Sequence, residues 1–140
     1  VIAVENLPRT CLGNCSYEIN QLLSASESLR ICFDVNHLLL ENHNEFVKNT
    51  KDKFVTLHIS DYDFVNERHW LPGEGKIDWI ELTSLLEGAG YNGAFIYELG
   101  LKPEKTILRR DLSYSDFKDN FSSLCSKRKP VALGVPNIAV

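Results

Sequence analysis

The chain has 140 residues, a formal charge of −4 and 44% hydrophobic residues, the balance of one soluble globular domain. That apolar content can offset the entropy of ordering, which excludes disorder, and no apolar stretch approaches the roughly 18 residues of a membrane span. With 19 Asp+Glu against 15 Lys+Arg, nothing in the charge calls for a nucleic-acid partner.

The run Val1–Val4 predicts a first strand. Ser16 is placed to cap a helix with Ile19, Leu22 and Leu23 on one face. A second strand is expected at Arg30–Phe33, a helix around Asn44–Lys51 with Phe46 and Val47, and a third strand at Phe54–Leu57. The connection Ser60–Lys76 is long, and long loops in compact domains are usually functional or disordered. Asp78, with Glu81 three residues on, predicts a capping box for a helix bearing Ile80, Leu82, Leu85 and Leu86, stopped by Gly88 and Gly90. Ala94–Tyr97 predicts the fourth strand, and Phe117, Phe121 and Leu124 give the last helix, from about Ser113, its buried face. Strands alternating with helices predict an α/β fold on a parallel sheet. The basic run Lys127-Arg128-Lys129 opens a segment, 127–140, that reads as a solvated tail.

Each strand-like run is followed at once by a metal-ligating residue type: Glu5, Asp34, His58 and Glu98. Alternation puts Glu5 on a face with Ala3, Asp34 with Cys32, His58 with Thr56 and Glu98 with Ile96. The opposite face carries Ile2, Val4, Ile31, Phe33, Val55, Leu57, Phe95 and Tyr97. The ligand-bearing face is the smaller one, as a tight barrel interior beneath an outer helical layer requires. One polar residue past a strand is ordinary, whereas four at matching positions and phase point to a shared site. Three carboxylates with an imidazole suit Mn²⁺, Mg²⁺ or Zn²⁺, and without a cation they would raise one another's pKa. On its own, His37 reads as a loop histidine, Asp61 as a turn cap and His43 as solvent-exposed.

Cys11, Cys15, Cys32 and Cys125 are too few and scattered for a disulfide framework, and Cys11 and Cys15 miss the C-x-x-C spacing. Free thiols in a reducing cytoplasm are therefore expected. Residues Val1–Asn6 lack the features of a secretory signal. The chain contains no methionine and opens directly on a strand, so a piece of a longer protein is expected.

Several motifs together resemble the xylose isomerase-like TIM-barrel superfamily, which includes sugar-phosphate isomerases and epimerases and endonuclease IV. They are Glu5-Asn6, Asp34-x-x-His37, His58-x-x-Asp61, the segment from Arg68-His69 through Pro-Gly-Glu-Gly-Lys-Ile to Asp78, and Gly90-Tyr91-x-Gly93 before the strand ending at Glu98. The resemblance implies a (β/α) parallel half-barrel, strands five to eight of a TIM barrel, over residues 1–126 as four βα units. A whole barrel needs roughly 250 residues, so the sheet edges would be covered by a missing N-terminal half or by a second copy. It also implies one divalent ion, Mn²⁺ first and Mg²⁺, Co²⁺ or Zn²⁺ compatible, held by Glu5, Asp34, His58 and Glu98. Glu5 and Glu98 would act as an acid/base pair on a small sugar or sugar phosphate, with His37, Arg68 and His69 binding substrate. His69 could instead hold a second metal, and Asp61 would orient a neighbour. Two alternatives stand beside this isomerase: an endonuclease IV-like zinc phosphodiesterase, with Glu67-Arg68-His69 imitating its loop motif, and a non-catalytic half-barrel that binds carbohydrate or assembles with a partner.

Overall fold

The computed structural model describes residues 1–138. Strands β1 (Ile2–Glu5), β2 (Leu29–Asp34), β3 (Phe54–Ile59) and β4 (Phe95–Tyr97) form one parallel sheet in that order. Helices α1 (Ser16–Leu23), α2 (His43–Thr50) and α3 (Trp79–Gly88) connect successive strands, and α4 (Tyr114–Cys125) follows the last. This is the expected α/β architecture, a partial TIM barrel. Strand bounds differ from expectation by a residue or two, most usefully at β3, whose extension to Ile59 holds His58 inside the ladder. Among the described residues, no helix is long and apolar enough to cross a membrane.

One side of the sheet is sealed by the helices. Ile31, Phe33, Leu57 and Ile59 pack there against Ile19, Leu23, Phe46, Val47, Leu82 and Leu86. Burial of each such side chain contributes about 1.5–3 kcal/mol, so this layer anchors the strands whose tips carry the polar residues. Alternation breaks at the start of β3. Ile31 pairs with Phe54 but Cys32 pairs with Thr56, leaving Val55 as an extra residue. Phe54 rather than Val55 consequently packs on Phe33, at 5.5 Å between ring centroids, and Val55 is exposed. One additional residue reverses the faces of everything before it.

Helix starts also depart from the expected caps. The N-cap of α1 is Cys15, and the buried Ser16 is its first residue. Both the Ser16 amide (2.7 Å) and hydroxyl (2.6 Å) donate to the Glu41 carboxylate, which supplies the missing cap from another loop. Asp78 caps α3 as expected, accepting from the amides of Ile80 (3.1 Å) and Glu81 (3.0 Å). Phe121 is exposed on α4, and its buried residues are Leu124 and Asn120. Asn120 accepts from the Tyr97 hydroxyl (2.9 Å) and donates to the Pro72 carbonyl (2.8 Å), tying α4 to β4 and to the long loop.

Lys127, Arg128 and Lys129 are exposed as expected, but the segment they open folds back rather than trailing free. Val135–Pro136 (β6) pairs antiparallel with Ile107–Leu108 (β5). Pro130 is buried against Gly73, whose φ of +100° and close approach leave no room for a Cβ. Lys127 pairs with Glu87 at the end of α3.

Candidate metal centre

Sheet register sets the site. Glu5 lies beside Cys32, Asp34 beside His58 and His58 beside Ile96, so Glu98 follows two residues later on the same face. Ligand atoms of Glu5, Asp34, His58 and Glu98 all lie within 4.8 Å of one another. His58 Nδ1 is 3.1 Å from Glu98 Oε2, 3.3 Å from Glu5 Oε1 and 3.9 Å from Asp34 Oδ2.

Neighbouring amides hold this arrangement. Asp34 is fully buried, and its Oδ1 accepts from the Asn36 amide at 2.7 Å. The Asn6 side chain bridges the tips of β1 and β2, accepting from the Asp34 amide (2.8 Å) and donating to its carbonyl (2.9 Å). Such an amide mimics the next rung of a sheet ladder, a role the sequence does not announce.

The electrostatics are those of crowded carboxylates. Burial pushes the Asp34 carboxyl up, helped by the close-facing Glu98 carboxylate and the charge of Glu5, with the Asn36 amide opposing. Glu98 is held below its usual range by the facing Asp34 carboxyl, against burial, with His58, His69 and His37 adding to the effect. Burial, then Glu5, Asp34 and Glu98, push the Cys32 thiol up to about 12. Asp34 Oδ2 and Glu98 Oε2 are buried without a hydrogen-bond donor. Undonated buried oxygens, three carboxylates and an imidazole fit a hard or borderline divalent ion.

The remaining expected residues divide. His37 is buried and donates Nδ1 to the Asn6 carbonyl at 2.8 Å, so its Nε2, 3.5 Å from Asp34 Oδ2, is free to accept. His69 likewise donates Nδ1 to the Glu98 carbonyl (2.8 Å), leaving Nε2 3.3 Å from Glu67 Oε1. Glu67 Oε1 is also 3.6 Å from His37 Nε2, which brings both imidazoles to one carboxylate. Arg68 is turned into its own loop, with Nε 3.1 Å from Asp63 Oδ2 and Cζ 5.7 Å from the Trp70 ring centroid. His43 is not solvent-exposed as expected: its Nε2 donates to the Val35 carbonyl at 2.8 Å and its ring packs edge-on against Tyr62 and Phe64.

Two buried polar residues shape the long loop. Asn36 accepts from the Arg68 amide (3.0 Å) and donates to the Arg68 carbonyl and to Ser60 Oγ (3.1 Å). Asp61 gathers the amides of Tyr62, Gly73 and Ile77 and the Trp79 indole N–H at 2.8–3.1 Å. A Cβ at Gly75 would collide with that carboxylate and with the Tyr62 backbone. The Pro-Gly-Glu-Gly segment thus folds around Asp61, which also delivers Trp79 to the start of α3.

The sequence pattern of the xylose isomerase-like TIM barrel matches residues 1–116. This chain belongs to that family. The uncharacterized protein MJ1311 of Methanocaldococcus jannaschii is 30% identical over 105 residues, 69% of this chain and 36% of its own length. A D-tagatose 3-epimerase-like protein of known structure is 27% identical, with a TM-score of 0.64 over 70% of this chain and 40% of its own. The 3-keto-D-glucoside 4-epimerase YcjR of E. coli shares the fold, with a TM-score of 0.66 and 19% identity over 90% of this chain and 46% of its own. This xylose isomerase-like chain therefore spans less than half the length of each of these three relatives.

Proposed function

We propose that this chain carries the metal-holding and proton-transferring part of a divalent-metal-dependent isomerase or epimerase of sugars or sugar phosphates. The observation that supports it is the convergence of Glu5, Asp34, His58 and Glu98, two of whose oxygens are buried and undonated. These four would hold the ion, Mn²⁺ being the proposed one and Mg²⁺, Co²⁺ and Zn²⁺ fitting the same donors. When bound, such an ion supplies electrostatic stabilisation for the negative charge that develops on the substrate's carbonyl and neighbouring hydroxyl oxygens.

Glu5 and Glu98 come from opposite edge strands of the sheet, so they reach a molecule in the mouth from different sides. One takes the proton from the carbon beside the carbonyl, giving an enediolate, and the other returns a proton to complete the transfer. His37, with Nδ1 committed to Asn6, offers Nε2 to a substrate hydroxyl. His69, on the loop beside it, is a further contact for substrate oxygens, and Arg68 would join it only by leaving Asp63.

The test is metal analysis of the full-length protein with proton exchange on ketoses in D₂O. About one bound divalent ion per chain, with exchange abolished by chelation and restored by Mn²⁺, is expected. Metal-free protein, exchange indifferent to chelation, or chelator-sensitive incision of abasic DNA without exchange would overturn this reading.

A further inference from the structure

We propose that Cys32 is a sulfur ligand beside the four-residue centre, and that Glu5, Cys32 and His58 together accept a thiophilic divalent ion in place of the hard one. This rests on reading the cluster as a metal centre, and adds to it a second, softer donor set sharing two residues with the first.

Geometry carries the assignment. Cys32 is a free thiol directly beside Glu5 in the β1–β2 register, on the face of Asp34 two residues earlier. Its Sγ, a Glu5 carboxylate oxygen and a His58 ring nitrogen lie within 4.8 Å of one another. The β2–β3 register shift lies at this level, but its extra residue is Val55 on β3, so the alternation that puts Cys32 on the face of Asp34 is unbroken. Two further observations point to a guest in this space. Asp34 is fully buried with Oδ2 unpartnered within the cluster, and Thr56, the other register neighbour of Cys32, buries its Oγ1 without a partner.

One sulfur, one nitrogen and one carboxylate oxygen form the mixed set that Zn²⁺ and softer ions take, whereas Mn²⁺ and Mg²⁺ prefer oxygen. Forming the metal–sulfur bond breaks the S–H bond, and its proton leaves to solvent. No oxidant or reductant is involved. The mouth would therefore discriminate between ions by which rim it offers: Asp34 and Glu98 for the hard ion, Cys32 for the soft one.

The probe is Cd²⁺, added to the full-length protein carrying Cys11→Ser, Cys15→Ser and Cys125→Ser, which leaves Cys32 as the sole thiol of this segment. An ultraviolet thiolate-to-cadmium charge-transfer absorbance saturating at about one ion per chain is expected. Adding Cys32→Ser should abolish it and lower Cd²⁺ affinity at least about tenfold, with Mn²⁺ affinity kept within about threefold. Calorimetric Cd²⁺ binding without that absorbance, or unchanged Cd²⁺ affinity in Cys32→Ser, overturns the proposal while leaving the hard-ion centre standing. Failure of both ions to bind overturns the centre itself, and this ligand with it. Cys32→Ala is the second variant should Ser not fold.

Discussion

His69 donates its Nδ1 hydrogen to the backbone carbonyl of Glu98 at 2.8 Å, so a loop residue fixes the strand tip that presents a proposed ligand. The bond also sets the imidazole's tautomer and turns Nε2 toward Glu67. Outer partners of this kind typically govern metal affinity by tenfold or more. His69→Phe should therefore weaken Mn²⁺ binding about tenfold with the four ligands intact. Calorimetric titration checks it, and unchanged affinity would mean that the Ile59 carbonyl, which accepts from the Glu98 amide at 3.1 Å, is sufficient to hold this tip.

Glu98→Gln tests the acid/base assignment directly. The substitution keeps size and hydrogen bonding but removes the charge and the base, so folding should be preserved. Deuterium exchange into substrate should fall by about 10²–10⁴, the usual worth of a positioned general base. Exchange within a few-fold of the parent would remove Glu98 from the proton-transfer pair.

Much of the sheet and of the four-residue cluster is legible in the sequence because both are local. A strand has period two, and a ligand at its tip keeps the phase of the residues before it, so Glu5, Asp34, His58 and Glu98 can be placed from their own neighbours. What stays hidden depends on partners far away in sequence. The exposure of Val55 follows from a register shift between two strands, and the burial of His43 from Phe33, Tyr62 and Phe64. The bridging amides of Asn6 and Asn36 look like ordinary polar residues after a strand. The β5–β6 pair, two residues each, is too short to carry a period, which is why the chain after Ser126 reads as a tail.

Arg68 joins a positioning contact to a proposed substrate contact, and the two separate experimentally. Burial pushes the Asp63 carboxyl up, but the amides of Asn66 and Val65 and the Arg68 guanidinium outweigh it and hold it below its ordinary value. Arg68→Ala removes one of those partners and should lower stability by about 1–2 kcal/mol. Loss of a substrate contact should raise KM about tenfold beyond that. A stability loss with KM unchanged would assign Arg68 to the loop alone.

His43 gives the protein an acid-sensitive element away from the proposed ligands. Burial pushes its pKa down, with the Val35 carbonyl opposing. The unfolded chain then takes up the proton more readily, so this contribution is complete above the unfolded value of about 6.5 and declines as pH falls below it. The stability of His43→Phe should fall less steeply than the parent's between about pH 6.5 and 5. Denaturant midpoints across that range measure it, and parallel curves would remove His43 as the cause.

The strand that receives the returning C-terminal segment is followed at once by a buried ion pair, Arg109 Nε to Glu74 Oε1 at 3.2 Å, with side-chain exposures of 1% and 0%. Glu74 also accepts from the Leu71 amide at 2.9 Å, so the pair ties β5 to the Pro-Gly-Glu-Gly turn. Arg109→Met leaves an uncompensated buried carboxylate and should destabilise the fold by about 3–5 kcal/mol. Burial already raises the Glu74 pKa while Arg109 pulls it down, so removing the guanidinium raises it further. A raised folded value means that the folded variant holds the proton more tightly than the unfolded chain. Its deficit should accordingly narrow as pH is lowered from 8 toward about 5, the opposite of the His43 effect. Urea unfolding at the two pH values checks the sign, and a deficit that widens in acid would show that Glu74 is not the group left exposed to the loss.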